Sequence, residues 1–260
     1  MRYAPLLILA GLAVTACQTA PVADAGFLSR YDGLVAREDS LRASIRQRRD
    51  DAVAATVDRV HLEPSRFVGA AGSALTDQER AQLLREVDRQ VCYEVSERFT
   101  LAADGRDVAR LRTGVVEVRP TGAAGSGVAA VANILIPGPG TLRIPGTTGG
   151  LAVESELVGP GGEQIAALAW ARNANTVGMD APSLSRIGDA LQMAEPLADE
   201  IGDTISQPDR VVRDIPTPDP CAMFGPRTQP VGFVTRTVTG LYVPQVNTGS
   251  APATEAKPQP

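Results

Sequence analysis

Leu151-Ala152-Val153-Glu154-Ser155-Glu156-Leu157-Val158, then Gly159-Pro160-Gly161-Gly162-Glu163, then Gln164-Ile165-Ala166-Ala167-Leu168-Ala169-Trp170-Ala171-Arg172 is the most legible stretch of this chain. Two apolar runs of strand length flank a Gly/Pro cluster, which predicts an antiparallel hairpin whose glycines supply the positive φ values of the turn. Upstream of the hairpin, Val108–Arg119 reads as another strand, with Leu111, Thr113 and Val115 on one face and Arg110 and Arg112 on the other. After Gly114–Val115 the apolar parity passes to Val116 and Val118, the signature of a bulge beside a glycine. Val57–Leu62 reads as a first strand, ended by Pro64.

Two helices complete the pattern. From Asp77 to Phe99, Leu84, Val87, Val91, Val95 and Phe99 recur at helical spacing, and Thr76 with Glu79 forms a capping box. A last helix starts near Ser183 with the stripe Leu184, Ile187, Leu191, Ala194, Ala198 and Ile201, and Pro196 predicts a kink after Met193. The expected fold is α+β: a small, mainly antiparallel sheet covered by two helices, a two-layer α/β sandwich with long flexible termini.

The remaining stretches are less regular. Residues 37–54 are dense in mixed charge and read as an exposed loop or a short surface helix. Residues 121–150 are built from Gly, Ala, Val, Pro and Thr, with Ile134, Leu135, Ile136 and Ile144 the bulkiest members and Arg143 the only charge. An apolar loop packed on its own domain, a surface facing a partner or a membrane, and disorder are all open for it. Under the second reading those four residues are the candidate partner contacts. Residues 206–246 are expected to be a Pro-rich linker carrying Cys221, followed by an extra strand, since Val231–Val243 alternates. Residues 247–260 form a Pro/Ala/Thr tail expected to be disordered.

Composition excludes more than it assigns. Hydrophobic residues make up 43% of the 260 and aromatics 4%, so the core must rest on aliphatic side chains. A net charge of −5 argues against an electrostatic nucleic-acid binder. With a single histidine, His61, and three cysteines, the ligand supply for a metal centre is missing, and no cofactor is expected. Gly72-Ser73-Ala74 and Gly125-Ser126-Gly127 fail the nucleophile-elbow pattern. Glu154 and Glu156, two apart on a strand, share a face and could serve a glycosidase-like pair. The plainer reading makes them the wet side of a sheet, with Arg110, Arg112 and Arg172 as cross-strand partners.

The chain start and the cysteines indicate an address. Arg2 leads into the apolar run Leu6–Val14, too short to cross a bilayer and fitting a cleaved export signal over residues 1–16. Val14-Thr15-Ala16-Cys17 resembles the bacterial lipobox. That resemblance implies that Cys17 becomes the mature N-terminus and carries lipid on its sulfur and its amine, a durable anchor. Residues 17–25 would then be a lipidated, disordered tether, and Gln18, where an Asp would retain some lipoproteins in the inner membrane, leans toward the outer membrane. In an oxidising compartment the remaining even pair, Cys92 and Cys221, either forms a disulfide or leaves Cys92 buried and Cys221 free.

Gly26-Phe27-Leu28-Ser29-Arg30-Tyr31, the strand core Leu111-Arg112-Thr113 and the hairpin Leu151–Arg172, with a small-residue insert before the hairpin, resemble the DUF3313 family of Gram-negative lipoproteins of unknown function. The resemblance covers about residues 26–205. Trp170 on the hairpin and Pro196 depart from it. It implies an envelope location and an α/β sandwich, and no reaction. The expected function is that of a non-enzymatic, lipid-anchored envelope protein that binds a protein partner or a cell-wall component in the periplasm. The alternatives are a self-assembling envelope component, or a hydrolase or carbohydrate-active enzyme using Glu154, Glu156 or His61.

Overall fold

A computed structural model of the protein describes Thr19 and residues 22–40, 42–135, 141–144, 146–175, 177–178, 180–227 and 229–249. In chain order the first half comprises β1 (Val35–Ala36), β2 (Ala43–Arg49), α1 (Asp51–Ala54), β3 (Arg59–Leu62), β4 (Arg66–Phe67), α2 (Asp77–Ser96), β5 (Thr100–Leu101) and β6 (Ala109–Arg119). There follow α3 (Ala123–Leu135), β7 (Thr141–Leu142), β8 (Gly150–Val158), β9 (Gln164–Asn173), β10 (Val177–Gly178), α4 (Gly188–Gln192), α5 (Ala194–Ile205), a 3₁₀ turn (Ala222–Phe224), α6 (Pro230–Thr239) and α7 (Pro244–Asn247).

The predicted hairpin is the centre of a mixed, mostly antiparallel sheet in the order β1-β2-β9-β8-β6-β3-β5, with β4 also paired to β6. β3 and β4 run parallel to β6, and β5 runs parallel to β3. β7 and β10 form a separate antiparallel pair. The register of β6 on β8 shifts between Val115 and Glu117, at the bulge expected from the parity flip. The fold is α+β.

The period of two sorts the sheet into unlike faces. Leu111, Val115, Leu151, Val153, Leu157, Leu168 and Trp170 belong to one core cluster, together with Leu83, Val87, Val91 and Val95 of α2 and Leu197, Ala198, Ile201 and Ile205 of α5. The opposite face presents Arg112, Gly114, Glu154, Glu156, Ala167 and Ala169, matched in register as Arg112↔Glu156↔Ala167 and Gly114↔Glu154↔Ala169. Those small side chains leave room for another layer.

Several expectations are corrected. Within residues 37–54, Ala43–Arg49 is a full strand of the sheet rather than a loop or surface helix. Ile45, opposite Trp170, is the buried residue of this strand, and Ala43 packs partly buried against the same core. The last helix begins at Gly188 instead of near Ser183, and it breaks at Met193, where the kink was expected, into α4 and α5. Pro196 lies in the first turn of α5, where its missing N–H has no intrahelical partner to lose, so the interruption falls just ahead of it. Val231–Thr239 is helical, not a strand: Pro230 starts the helix, Gly240 ends it with φ 67°, and Thr235, Thr237 and Thr239 each donate a hydroxyl to the carbonyl four residues back. Seven α-helices occur among the described residues, where the sequence predicted two.

Candidate functional site

The residues Gly26–Tyr31 form a strap across the second face of the sheet. The Glu154 carboxylate accepts hydrogen bonds from the Ala25 amide (2.9 Å), the Phe27 amide (3.2 Å) and the Tyr31 hydroxyl (2.6 Å). The Glu156 carboxylate accepts from the Ser29 amide and hydroxyl and from the Gln164 side-chain amide, all at 2.8 Å. Its other oxygen lies 2.9 Å from the Arg112 guanidinium. Glu154 is 2% exposed and Glu156 fully buried, so these charges exist at low cost only because amides, hydroxyls and a guanidinium surround them. Burial, then the facing Glu154, raises the Tyr31 phenol above its ordinary value.

Phe27 seals the strap. Arg66 and Arg112 lie over its ring at 5.2 and 5.3 Å from the centroid, a cation–π arrangement. A Cβ on Gly114 would come within 2.6 Å of that ring. Phe27 and Leu28 cluster with Ala167, while Gly26, at φ 79°, makes the turn that brings the next amides inward. Upstream, Arg46 holds the Val22 carbonyl (3.3 Å) and Asp24 (2.7 Å), and the Asn173 amide donates to the Thr19 hydroxyl oxygen (2.9 Å). The tether predicted to be disordered is thus, at Thr19 and residues 22–25, laid along the sheet. Arg110 pairs with Glu63 and Arg172 with Asp180, so of the three expected cross-strand arginines only Arg112 meets the carboxylate pair.

Other chemistry-bearing residues are engaged locally. His61 lines a cavity of about 580 Å³ with Asp88, Leu101, Leu111, Met223 and Phe224. Its Nδ1 lies 3.1 Å from the Ala102 carbonyl, and the nearby Ser65 hydroxyl donates to the Leu84 carbonyl at 3.3 Å. Burial raises the Asp88 carboxyl above its usual range, against hydrogen bonds from Ser65. A second, polar cleft of about 350 Å³ is lined by Glu94, Glu195, Asp199, Arg227 and Arg236, among others. Asp199 reaches solvent, yet partial burial first, and the Glu94 and Glu195 carboxylates second, raise its pKa to about 7. Among the described residues there is no group of three or more His, Cys, Asp or Glu arranged to hold a metal.

Cys92 of α2 and Cys221 are joined in a buried disulfide. Around it, Arg89 bonds the Pro226 and Arg227 carbonyls (2.9 and 3.0 Å), Tyr93 the Gly225 carbonyl (2.6 Å) and Arg85 the Met223 carbonyl (2.7 Å). The expected linker is in this way fastened to α2. In the 121–150 insert, Arg143 is fully buried in a two-pronged pair with Asp189 (2.5 and 2.9 Å). Ile144 is exposed. Ile134 and Leu135 fall on the last turn of α3, while Ile136 and Cys17 lie outside the described residues. No described helix is long and apolar enough to cross a membrane.

The profile of a family described as "Protein of unknown function (DUF3313)" matches residues 23–201, most of the chain from the strap through the first two turns of α5. This chain belongs to the DUF3313 family. The match includes the strap, which in this DUF3313 member fastens residues 25–31 to the sheet. No curated protein matches the chain. Among solved structures it is similar to a dodecamer of PelC from Paraburkholderia phytofirmans at 10% identity, over 64% of this chain and 99% of that one, with a TM-score of 0.37. A point variant of the same PelC dodecamer gives 12% identity, 64% and 98% coverage, and the same TM-score.

Proposed function

We propose that this protein is a lipid-anchored envelope protein without catalytic chemistry, attached through acyl chains on Cys17 to the periplasmic face of the outer membrane, where it binds a protein partner or a cell-wall component. The observation that carries the reading is the strap. The buried carboxylates that a glycosidase would expose to substrate are occupied by the chain's own amides and hydroxyls, in an arrangement that fastens the start of the domain. An α+β domain with a core cluster shared by α2, α5 and one sheet face, and the strap on the other, supports a scaffold that holds surfaces in place rather than one that encloses a reaction. His61 and Ser65, each bonded to a backbone carbonyl, do not form a nucleophile–base couple.

Fractionation tests it. The wild-type protein is expected in the membrane fraction and the Cys17→Ser protein in the soluble periplasm. Equal partition of the two proteins would contradict the reading.

A further inference from the structure

Gly150 of β8 is in register with Arg119 of β6 and with Asn173 of β9, so these three residues mark one end of the sheet. Thr19 is bound at that end, through the Asn173 amide. The α3 helix starts there too, four residues beyond Arg119. Cys17 is two residues from Thr19, a span of at most about 7 Å of extended chain. A lipid on Cys17 therefore brings the bilayer surface near this end of the sheet, the far hairpin end being about 26 Å away at strand rise.

The surface at that end suits such a neighbour. Residues 121–142 contain no charged side chain. The one charge of the insert, Arg143, is turned inward and neutralised by Asp189, which also accepts from the Gly149 amide (2.6 Å). Val128 is 60% exposed, Leu184 58% and Ile144 38%. Both flanking segments reach α3: a Cβ on Gly127, next to Val128, would lie 3.7 Å from Leu184 Cδ2, and the Thr147 side chain, whose amide donates to the Ile144 carbonyl, packs onto α3 at Gly125. Exposed bulky apolar residues beside an uncharged helix favour partition into the headgroup–acyl boundary.

We propose that this end of the sheet sits in the membrane interface, with Val128, Leu184 and Ile144 reaching the acyl boundary beside the lipid on Cys17. The inference rests on the reading of Cys17 as lipid-bearing, and it adds which face of the domain meets the bilayer. The ligand is the lipid surface; a second copy or another protein over the same patch is a different outcome.

The test uses full-length lipidated protein in phosphatidylethanolamine/phosphatidylglycerol vesicles. Val128→Cys, Leu184→Cys and, at the far hairpin, Pro160→Cys each add one free thiol for a nitroxide label. Labels at positions 128 and 184 are expected to be several-fold more accessible to membrane-dissolved oxygen than to a water-soluble nickel complex, with the opposite order at position 160. If the protein floats with the vesicles but all three labels are equally open to nickel, the membrane-facing end is wrong and the anchor stands. Labels at positions 128 and 184 shielded from both reagents would show a protein covering the patch and would also overturn the proposal. Protein that fails to float overturns the anchor and the inference together.

Discussion

Glu154 draws three donors from a segment more than a hundred residues away, and this ties the N-terminal motif to the hairpin. Replacing it by Ala leaves the Tyr31 hydroxyl and two amides without their acceptor. Glu154→Ala is therefore expected to cost about 2–4 kcal/mol in urea unfolding and to open residues 22–31 to proteolysis; an unchanged midpoint would contradict the role given to the strap. Spacing alone showed that Glu154 and Glu156 share a face, and their same-face charge suggested a wet one. What alternation could not show is that residues 25–31 cover them, because most of that contact is made by backbone amides, which carry no residue-type signal. The small residues opposite them, Gly114, Ala167 and Ala169, were the available hint that something packs there. Asp199 makes a pH prediction. Its folded pKa of about 7 exceeds the ordinary 3.8, so between those values the folded protein holds more protons than the unfolded one. Stability from this group accordingly falls as pH rises through that window and is level above it. Asp199→Asn is expected to remove the slope and to stabilise the protein at pH 8 by about 1 kcal/mol, a figure kept small because the side chain is screened by solvent. A variant that retained the wild-type slope would refute it.

Helix α2 was readable because every local signal agreed: a capping box, an apolar stripe and no internal Gly or Pro. Helix α6 was not, because Val, Phe and Thr favour strands and alternate in this segment; only Pro230 and Gly240 pointed to helix, and they also punctuate strands. β2 was hidden for a related reason: a strand with one core-facing isoleucine among arginines takes its ladder from β9 rather than from its own pattern. The disulfide joins α2 to the 3₁₀ turn across a sequence separation of 129. In the chain-entropy account a closure of that length contributes about 4–5 kcal/mol. Cys92→Ser with Cys221→Ser is expected to lower stability by up to that amount and to make residues 206–249 the first cut by protease. Matching wild-type and variant digestion patterns would show that Arg85, Arg89 and Tyr93 suffice to hold the segment.

The domain and its strap form one mechanical unit. One face of the sheet shares a core cluster with α2 and α5, and the other carries the strap, with Thr19 bound at the Asn173 end. Acyl chains on Cys17 would then hold a rigid body close to the membrane instead of on a long leash, so that its exposed surfaces keep a fixed height and orientation toward whatever they bind. The α+β architecture and the family were legible in the order of motifs, whereas the position of the insert relative to the tether required the register of β6, β8 and β9. Intact-mass and peptide mass spectrometry of the protein extracted from membranes tests the foundation most directly. It should find residues 1–16 removed and Cys17 carrying acyl chains on its sulfur and amine; an unmodified Cys17, or a precursor still bearing Met1, would contradict the account.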